Sequence, residues 1–177
     1  PRGTRAIVSG SCSVATNAQV QHFLGAGGAA FRIDPLAIGR GDDVSGAALK
    51  WAETRLAASQ PVLFYATAEA ASVAAVQAQL GVAQAGEAVE RVLSQVARGL
   101  VARGVRQLVV AGGETSGACV QALGIERLRI GPQISPGVPW CHAACAAAGE
   151  EGLHIALKSG NFGATDFFLG AFDVLPV

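Results

Sequence analysis

The sequence predicts an α/β layered domain, a mainly parallel sheet flanked by helices. Three observations carry that expectation. Short apolar runs of β type alternate along the chain with helical patterns of roughly 10–18 residues, as in layered βα units. Hydrophobic residues make up 51% of the chain and charged ones only 15%, a balance that suits strands buried on both faces. The 177 residues fit one ordinary domain with a core of its own, and neither a linker nor an internal repeat divides them.

Each element follows from its own pattern. RAIVSG (5–10) reads as the first strand, and NAQVQHFLGAG (17–27) as a helix that stops on glycine. GAAFRID (28–34) is a second strand. The stretch 42–59 is a helix with Asp42, Asp43 and Ser45 at its entrance, where side-chain acceptors satisfy free amides and acids favour the macrodipole. PVLFYAT (61–67) is a third strand, and EAASVAAVQAQLG (69–81) is a helix poor in large apolar residues, interrupted by Gly81 and Gly86. In 87–104, Val89, Val92, Leu93, Val96, Leu100 and Val101 fall on one helical face, with Gly104 as the stop. RQLVVAGG (106–113) is the fourth strand. Beyond it, IERLRIG (125–131) and PWCHAAC (139–145) read as short strands around PQISPGV (132–138), where proline and glycine are expected to forbid regular structure. LHIALKSG (153–160) is the last strand and ATDFFLGAFDVL (164–175) the last helix.

Composition excludes several functions. Thirteen basic residues balance thirteen acidic ones without a Lys/Arg run, so nucleic acid and anionic membrane are both disfavoured as partners. No apolar stretch approaches the roughly 20 residues that span a bilayer. The opening PRGTRAIVSG is no signal peptide, since its apolar part is short and ends on glycine. A chain that starts so directly on a strand reads as a fragment or a cut domain, and the surplus of apolar residues suits a surface covered by something absent from it. Four cysteines, Cys12, Cys119, Cys141 and Cys145, are too few for a secreted disulfide scaffold and read as free thiols in a cytoplasmic protein. Cys141, His142 and Cys145 suggest a metal, but no fourth ligand is near in sequence, so no metal site is expected within the chain.

Three corners share one chemistry. Ser9-Gly10-Ser11-Cys12-Ser13 follows the first strand, Gly112-Gly113-Glu114-Thr115-Ser116-Gly117 the fourth, and Lys158-Ser159-Gly160-Asn161-Phe162-Gly163 the last. Glycine lets backbone amides approach an anion, hydroxyls donate to its oxygens, and each corner is expected to have a helix N-terminus behind it. One such corner is ordinary loop chemistry; three at the carboxyl end of one sheet point to a bound phosphate. None matches the Walker pattern G-x-x-x-x-G-K-[ST]. Glu114 beside a phosphate fits Mg²⁺ or ribose hydroxyls, or else simply the first turn of a helix. Lys158 either neutralises phosphate or sits solvated at a strand end.

The stretches VVAGGETSGACVQALGI, IGPQISPGVPW and ALKSGNFGATDFF, with VSGSCSVATNAQV before them, resemble the C-terminal nucleotide-binding domain of the four-carbon acid sugar kinases, those acting on 3-oxo-tetronate, D-threonate and D-erythronate. The resemblance runs from about residue 5 to 172. It implies that 1–177 is the ATP-gripping domain of a two-domain kinase, with Mg²⁺, and that a preceding N-terminal domain supplies the acid sugar pocket. Carried over by position, it implies that Ser11, alone or with Ser9, meets the nucleotide, that Gly112, Gly113, Glu114 and Thr115 cradle it, and that Gly160 closes the site. Which hydroxyl of Ser9, Ser11 and Ser13 makes the contact stays open, as do the catalytic base, the acid sugar and a homo-oligomeric state. The cysteine-rich CHAAC after Trp140 departs from the expected pattern. A non-catalytic α/β module or effector-like remnant is the alternative, though decay should have spoiled at least one corner and all three are whole.

Other residues read as structural. His22 falls within a helix and His154 at a strand rim; Asp42 and Asp43 are helix-entrance acids rather than a carboxylate pair. Trp51 and Trp140 read as packing residues, Trp140 with the alternative of flanking an adenine. SPGVP (135–139) reads as a rigid loop that the resemblance puts near the ligand edge.

Overall fold

The computed structural model describes residues 3–58 and 60–175. The strands are β1 (Thr4–Ser9), β2 (Ala29–Arg32), β3 (Val62–Tyr65), β4 (Val105–Ala111), β5 (Arg129–Ser135), β6 (Val138–Cys145) and β7 (Gly149–Lys158). They form one seven-stranded sheet in the order β2-β3-β1-β4-β7-β6-β5. The pairs among β2, β3, β1, β4 and β7 are parallel, whereas β6 runs antiparallel to both β7 and β5.

The helices are α1 (Val14–Gly25), α2 (Pro35–Gly39), α3 (Val44–Glu53), α4 (Ala70–Leu80), α5 (Val82–Ala102), α6 (Gly113–Ala122) and α7 (Phe167–Gly170). Strand alternation divides the core into two layers. Ala6, Val8, Leu108 and Val110 face one layer, closed by Ala48 of α3, Leu93, Val96 and Leu100 of α5 and Cys119 of α6. Ile7 and Val109 face the other, closed by Val20 and Phe23 of α1 and Phe168 of α7. Leu100 has no exposed surface, so Leu100→Ala is expected to lower stability by about 2–5 kcal/mol, read as an earlier urea midpoint with an unchanged slope.

Several boundaries differ from the sequence expectation. PQISPGV is not irregular: 132–135 continue β5, and only Pro136 and Gly137 turn the hairpin. The prolines are tolerated for a positional reason. β5 is the sheet edge, and its register with β6 shifts between Ile130 and Gln133, around Pro132. Pro139 precedes Trp140, where the pairing of β6 with β7 begins. Gly81 does break the helical region, at φ 84°, but Gly86 lies inside α5. The helix expected over 42–59 ends at Glu53, and Ser59 lies outside the described residues. Asp43, not Asp42, caps it, accepting from the Gly46 amide at 3.0 Å. α1 starts at Val14 rather than Asn17 because Ser13 caps it, accepting from the Thr16 amide at 3.1 Å. The short α2, capped by Asp34 with Pro35 at its first position, was not expected. The last helix shrinks to Phe167–Gly170 followed by a 3-10 turn, Ala171–Val174.

Alternation also divides CHAAC. Cys141 and Cys145 enter the buried layer under α5, while His142 pairs across the strand with His154, ring centroids 5.6 Å apart. Trp140 is fully buried and donates from Nε1 to the Ala171 carbonyl at 2.7 Å, which makes it a packing residue. Among the described residues, no helix is long and apolar enough to cross a membrane.

Candidate functional site

The site follows from the sheet order. The helix after β1 packs on one face and the helix after β4 on the other, so a crevice opens between the carboxyl ends of these neighbouring strands. The three glycine-hydroxyl bends meet there, joined by hydrogen bonds. The amides of Gly10 and Ser11 donate to the Ala111 carbonyl at 2.9 and 3.1 Å, and the Gly112 amide donates to the Lys158 carbonyl at 2.8 Å. The Gly160 carbonyl lies 2.7 Å from the Ser13 hydroxyl, 2.8 Å from that of Thr16 and 2.8 Å from the Lys158 ammonium.

Close approach requires glycine at these bends. A Cβ on Gly160 would stand 3.0 Å from Ser11 Oγ and 3.1 Å from Ser13 Oγ. One on Gly10 would collide with Thr115 Oγ1 and lie 2.9 Å from Leu93 Cδ1. Among the described residues no side chain caps α6, so its first-turn amides at Gly113, Glu114 and Thr115 have no side-chain acceptor there. Such amides, with the positive end of the helix dipole, bind anions.

Lys158 is not a solvated strand-end lysine. It has no exposed surface, and its ammonium donates to Thr16 Oγ1 at 3.0 Å and to the carbonyls of Gly160 at 2.8 Å and Ser159 at 3.3 Å. Among the described residues no carboxylate lies within 4.0 Å of it. Burial lowers its pKa to about 8. A buried cation held only by neutral oxygens lacks the counter-charge that such groups normally have.

The fold separates the expected site residues into two groups. Ser11, Gly112, Gly113, Glu114, Thr115 and Gly160 all belong to the joined bends. Ser9 turns away: it is fully buried, its hydroxyl 2.6 Å from that of Thr67. Thr115 is also buried, and its hydroxyl donates to Glu90 Oε1 at 3.0 Å. Glu90 and Thr16 escaped the sequence reading. Thr16 carried a signal, three residues after the Ser13 cap on the face that meets the last corner; Glu90 reaches in from α5 and had none. The second Glu90 oxygen is buried without a partner among the described residues. Burial raises the Glu90 pKa, the Thr115 hydrogen bond opposes this, and the charge of Glu114 raises it further.

A cavity of about 200 Å³ adjoins the bends, with Gly10, Cys12, Glu90 and Glu114 in its wall. A larger hollow of about 660 Å³, among Arg127, Arg129, His142 and Cys145, lies at the opposite end of the sheet and is separate from this chemistry.

Residues 6–168 match the family model of the nucleotide-binding C-terminal domain. The chain belongs to this family. As a nucleotide-binding C-terminal domain it is 57% identical over 173 residues to the 3-oxo-tetronate kinase of Burkholderia multivorans, covering 98% of this chain and 39% of that protein. It is 54% identical over 166 residues to the 3-oxo-tetronate kinase of Cupriavidus necator, covering 94% of this chain and 37% of the relative. A crystal structure of a Haemophilus influenzae protein of the DUF1537 family superposes with a TM-score of 0.89 at 38% identity, over 97% of this domain and 40% of that chain. The domain thus spans about two fifths of the length of the relatives it matches.

Proposed function

We propose that the three joined bends hold the phosphates of ATP, and that the full-length protein transfers the terminal phosphoryl group to a hydroxyl of a four-carbon acid sugar of the 3-oxo-tetronate type. The observation that carries this reading is the buried ammonium of Lys158, without a carboxylate partner among the described residues, behind a crevice lined by uncapped amides. A triphosphate supplies the anion that both lack. The names of the close relatives support the same chemistry. The remaining three fifths of such a protein, in a preceding domain, would hold the sugar acid and face this crevice, and a cytoplasmic location suits the free thiols.

The reaction asks for positioning and charge stabilisation rather than covalent chemistry. The amides of Gly113, Glu114 and Thr115 orient the phosphate oxygens, the Ser11 hydroxyl donates from the opposite bend, and Lys158 places positive charge behind Gly160. Mg²⁺ fits the residues present. Glu114 is exposed and forms no ion pair among the described residues, and the mutual repulsion of Glu114 and Glu90 is relieved by a cation. Glu114 would hold it, directly or through water, with phosphate oxygens completing the shell. The ion neutralises phosphate charge.

Titration calorimetry of the full-length protein with Mg-ATP tests the reading. Saturable one-to-one binding is expected, along with a stabilisation of about 2.7 kcal/mol at a hundred times Kd. Phosphorylation of 3-oxo-tetronate should require both domains. Absence of any thermal shift at millimolar nucleotide would leave a binding module without kinase chemistry.

A further inference from the structure

The geometry points to Gln19 as a positioning residue for the phosphates. From α1 it holds the last of the three bends by its carbonyls and so turns the amides of that bend outward, where an anion meets them. This rests on the phosphate reading above and adds to it a residue that the glycine-hydroxyl corners do not contain.

Spacing comes first. Ser13, Thr16 and Gln19 recur at intervals of three, so they share one face at the start of α1. That face meets the last bend at each step. Ser13 and Thr16 hold the Gly160 carbonyl. Gln19 Nε2 donates onward, lying 3.0 Å from the Phe162 carbonyl, 3.1 Å from that of Gly163 and 3.0 Å from that of Ala164. Gln19 has no exposed surface, and its Oε1 is buried without a partner among the described residues. The side-chain NH₂ thus serves three carbonyls while the acceptor end goes unused. A buried amide left half unsatisfied is a costly way to fill space, and what it secures is the orientation of the bend.

Peptide planarity supplies the next step. Among the described residues no peptide bond is cis, and across a trans peptide the N–H points opposite to the C=O. The carbonyls of Gly160, Phe162, Gly163 and Ala164 are directed at α1, so the amides of Asn161, Gly163, Ala164 and Thr165 point away from it. None of these four amides has an acceptor among the described residues, and Asn161, Ala164 and Thr165 are exposed. Successive free amides, here Gly163 to Thr165, form a concavity that suits an anion. The bend borders the crevice at Gly160, beside Ser11 and Ser13. Phosphate oxygens therefore meet backbone donors on this side too, and Gln19 sets their direction.

The experiment uses the full-length protein with ATP, inorganic tripolyphosphate and adenosine as probes. Gln19→Met keeps the length of the side chain but has no donor. It should bind ATP and tripolyphosphate at least about tenfold more weakly, and adenosine within about twofold of the native protein. A residue that only filled space would lower the urea midpoint and leave the three affinities in their native ratio. Gln19→Glu adds a pH signature. As a carboxylate it repels the three carbonyl oxygens; protonated, it donates one O–H to them. Its tripolyphosphate affinity, taken relative to the native protein at each pH, should recover at least about fivefold from pH 8 to pH 5.5. The native reference cancels the titrations of Lys158 and of the probe.

Hydrogen exchange on the unmodified protein needs no variant to fold. Bound tripolyphosphate should slow exchange in the peptide spanning 161–166, and adenosine should not. Native tripolyphosphate affinity in a folded Gln19→Met, or unchanged exchange over 161–166 with tripolyphosphate bound, overturns the assignment while the phosphate crevice stands. Failure of the unmodified protein to bind either ATP or tripolyphosphate removes the phosphate reading and this inference with it.

Discussion

Gly112→Ala is expected to weaken nucleotide binding by a factor of ten or more and to lower stability by about 1–3 kcal/mol. Gly112, between β4 and α6, has φ 121° and ψ 139°, a conformation that side-chain-bearing residues rarely adopt. Space is lacking too. A Cβ would stand 3.0 Å from the Ser11 amide nitrogen and 3.0 Å from Thr115 Oγ1. The first of these atoms is backbone and the second sits on a buried β-branched side chain, so neither can swing aside. Relief must come from moving the β1 bend away from α6, and that widens the crevice in which the phosphates would lie. Calorimetry with Mg-ATP and a urea melt read the two effects separately.

The neighbouring residue provides the control. Gly113 has an ordinary φ, and a Cβ there meets nothing within 4 Å. Gly113→Ala should therefore fold as well as the native chain. If it nevertheless loses ATP affinity, the ligand itself needs the space over the first amide of α6. If Gly112→Ala kept native affinity, the bends would not need their observed spacing, and the phosphate reading would lose its geometric basis.

How far the sequence could be read follows from the range of each interaction. β1, β3, β4 and β7 were legible because a strand buried on both faces is a continuous apolar run, and α5 because its apolar residues recur on one face. The hairpin of β5 and β6 was not, because proline forbids a ladder only where its missing amide is needed. At Pro132 and Pro139 the need is absent, a fact set by sheet order rather than by local spelling. The same division runs through the site. The bends announce themselves through glycines and hydroxyls adjacent in sequence. Glu90 meets Thr115 across 25 positions and Lys158 meets Thr16 across 142, contacts that no local pattern encodes. Ser9 shows the converse: its place in a hydroxyl-rich string suggested the crevice, whereas its hydroxyl is buried against that of Thr67.

Lys158 should give opposite pH dependences to stability and to nucleotide affinity. Burial holds its pKa at about 8, against a usual 10.5. Between those values the unfolded chain keeps the proton and the folded chain has lost it, so the unfolded state binds more protons and stability rises with pH across this window. Below pH 8 the ammonium is present in both states and the folded chain bears the full burden of burying it, on the order of 3 kcal/mol. Nucleotide binding runs the other way. A phosphate favours the ammonium and raises its pKa in the complex, so affinity is to fall as pH climbs through about 8 and the free protein loses the proton. The terminal phosphate is already ionised there and adds little slope of its own.

Lys158→Met separates the two effects. It replaces a buried cation that has no carboxylate partner among the described residues with an apolar chain of similar length, which leaves stability at neutral pH close to or above that of the native chain. The Gly160 carbonyl keeps the Ser13 and Thr16 hydroxyls. The variant should lose the Lys158 contribution to the alkaline rise in stability, bind Mg-ATP more weakly at pH 7, and show a flatter affinity profile above pH 8. Chemical denaturation and calorimetry across pH 7–10 measure both. A native protein whose ATP affinity stays level through that range would mean that this cation does not act on the phosphates. The buried charge would then lack the functional reason that best accounts for keeping it inside the fold.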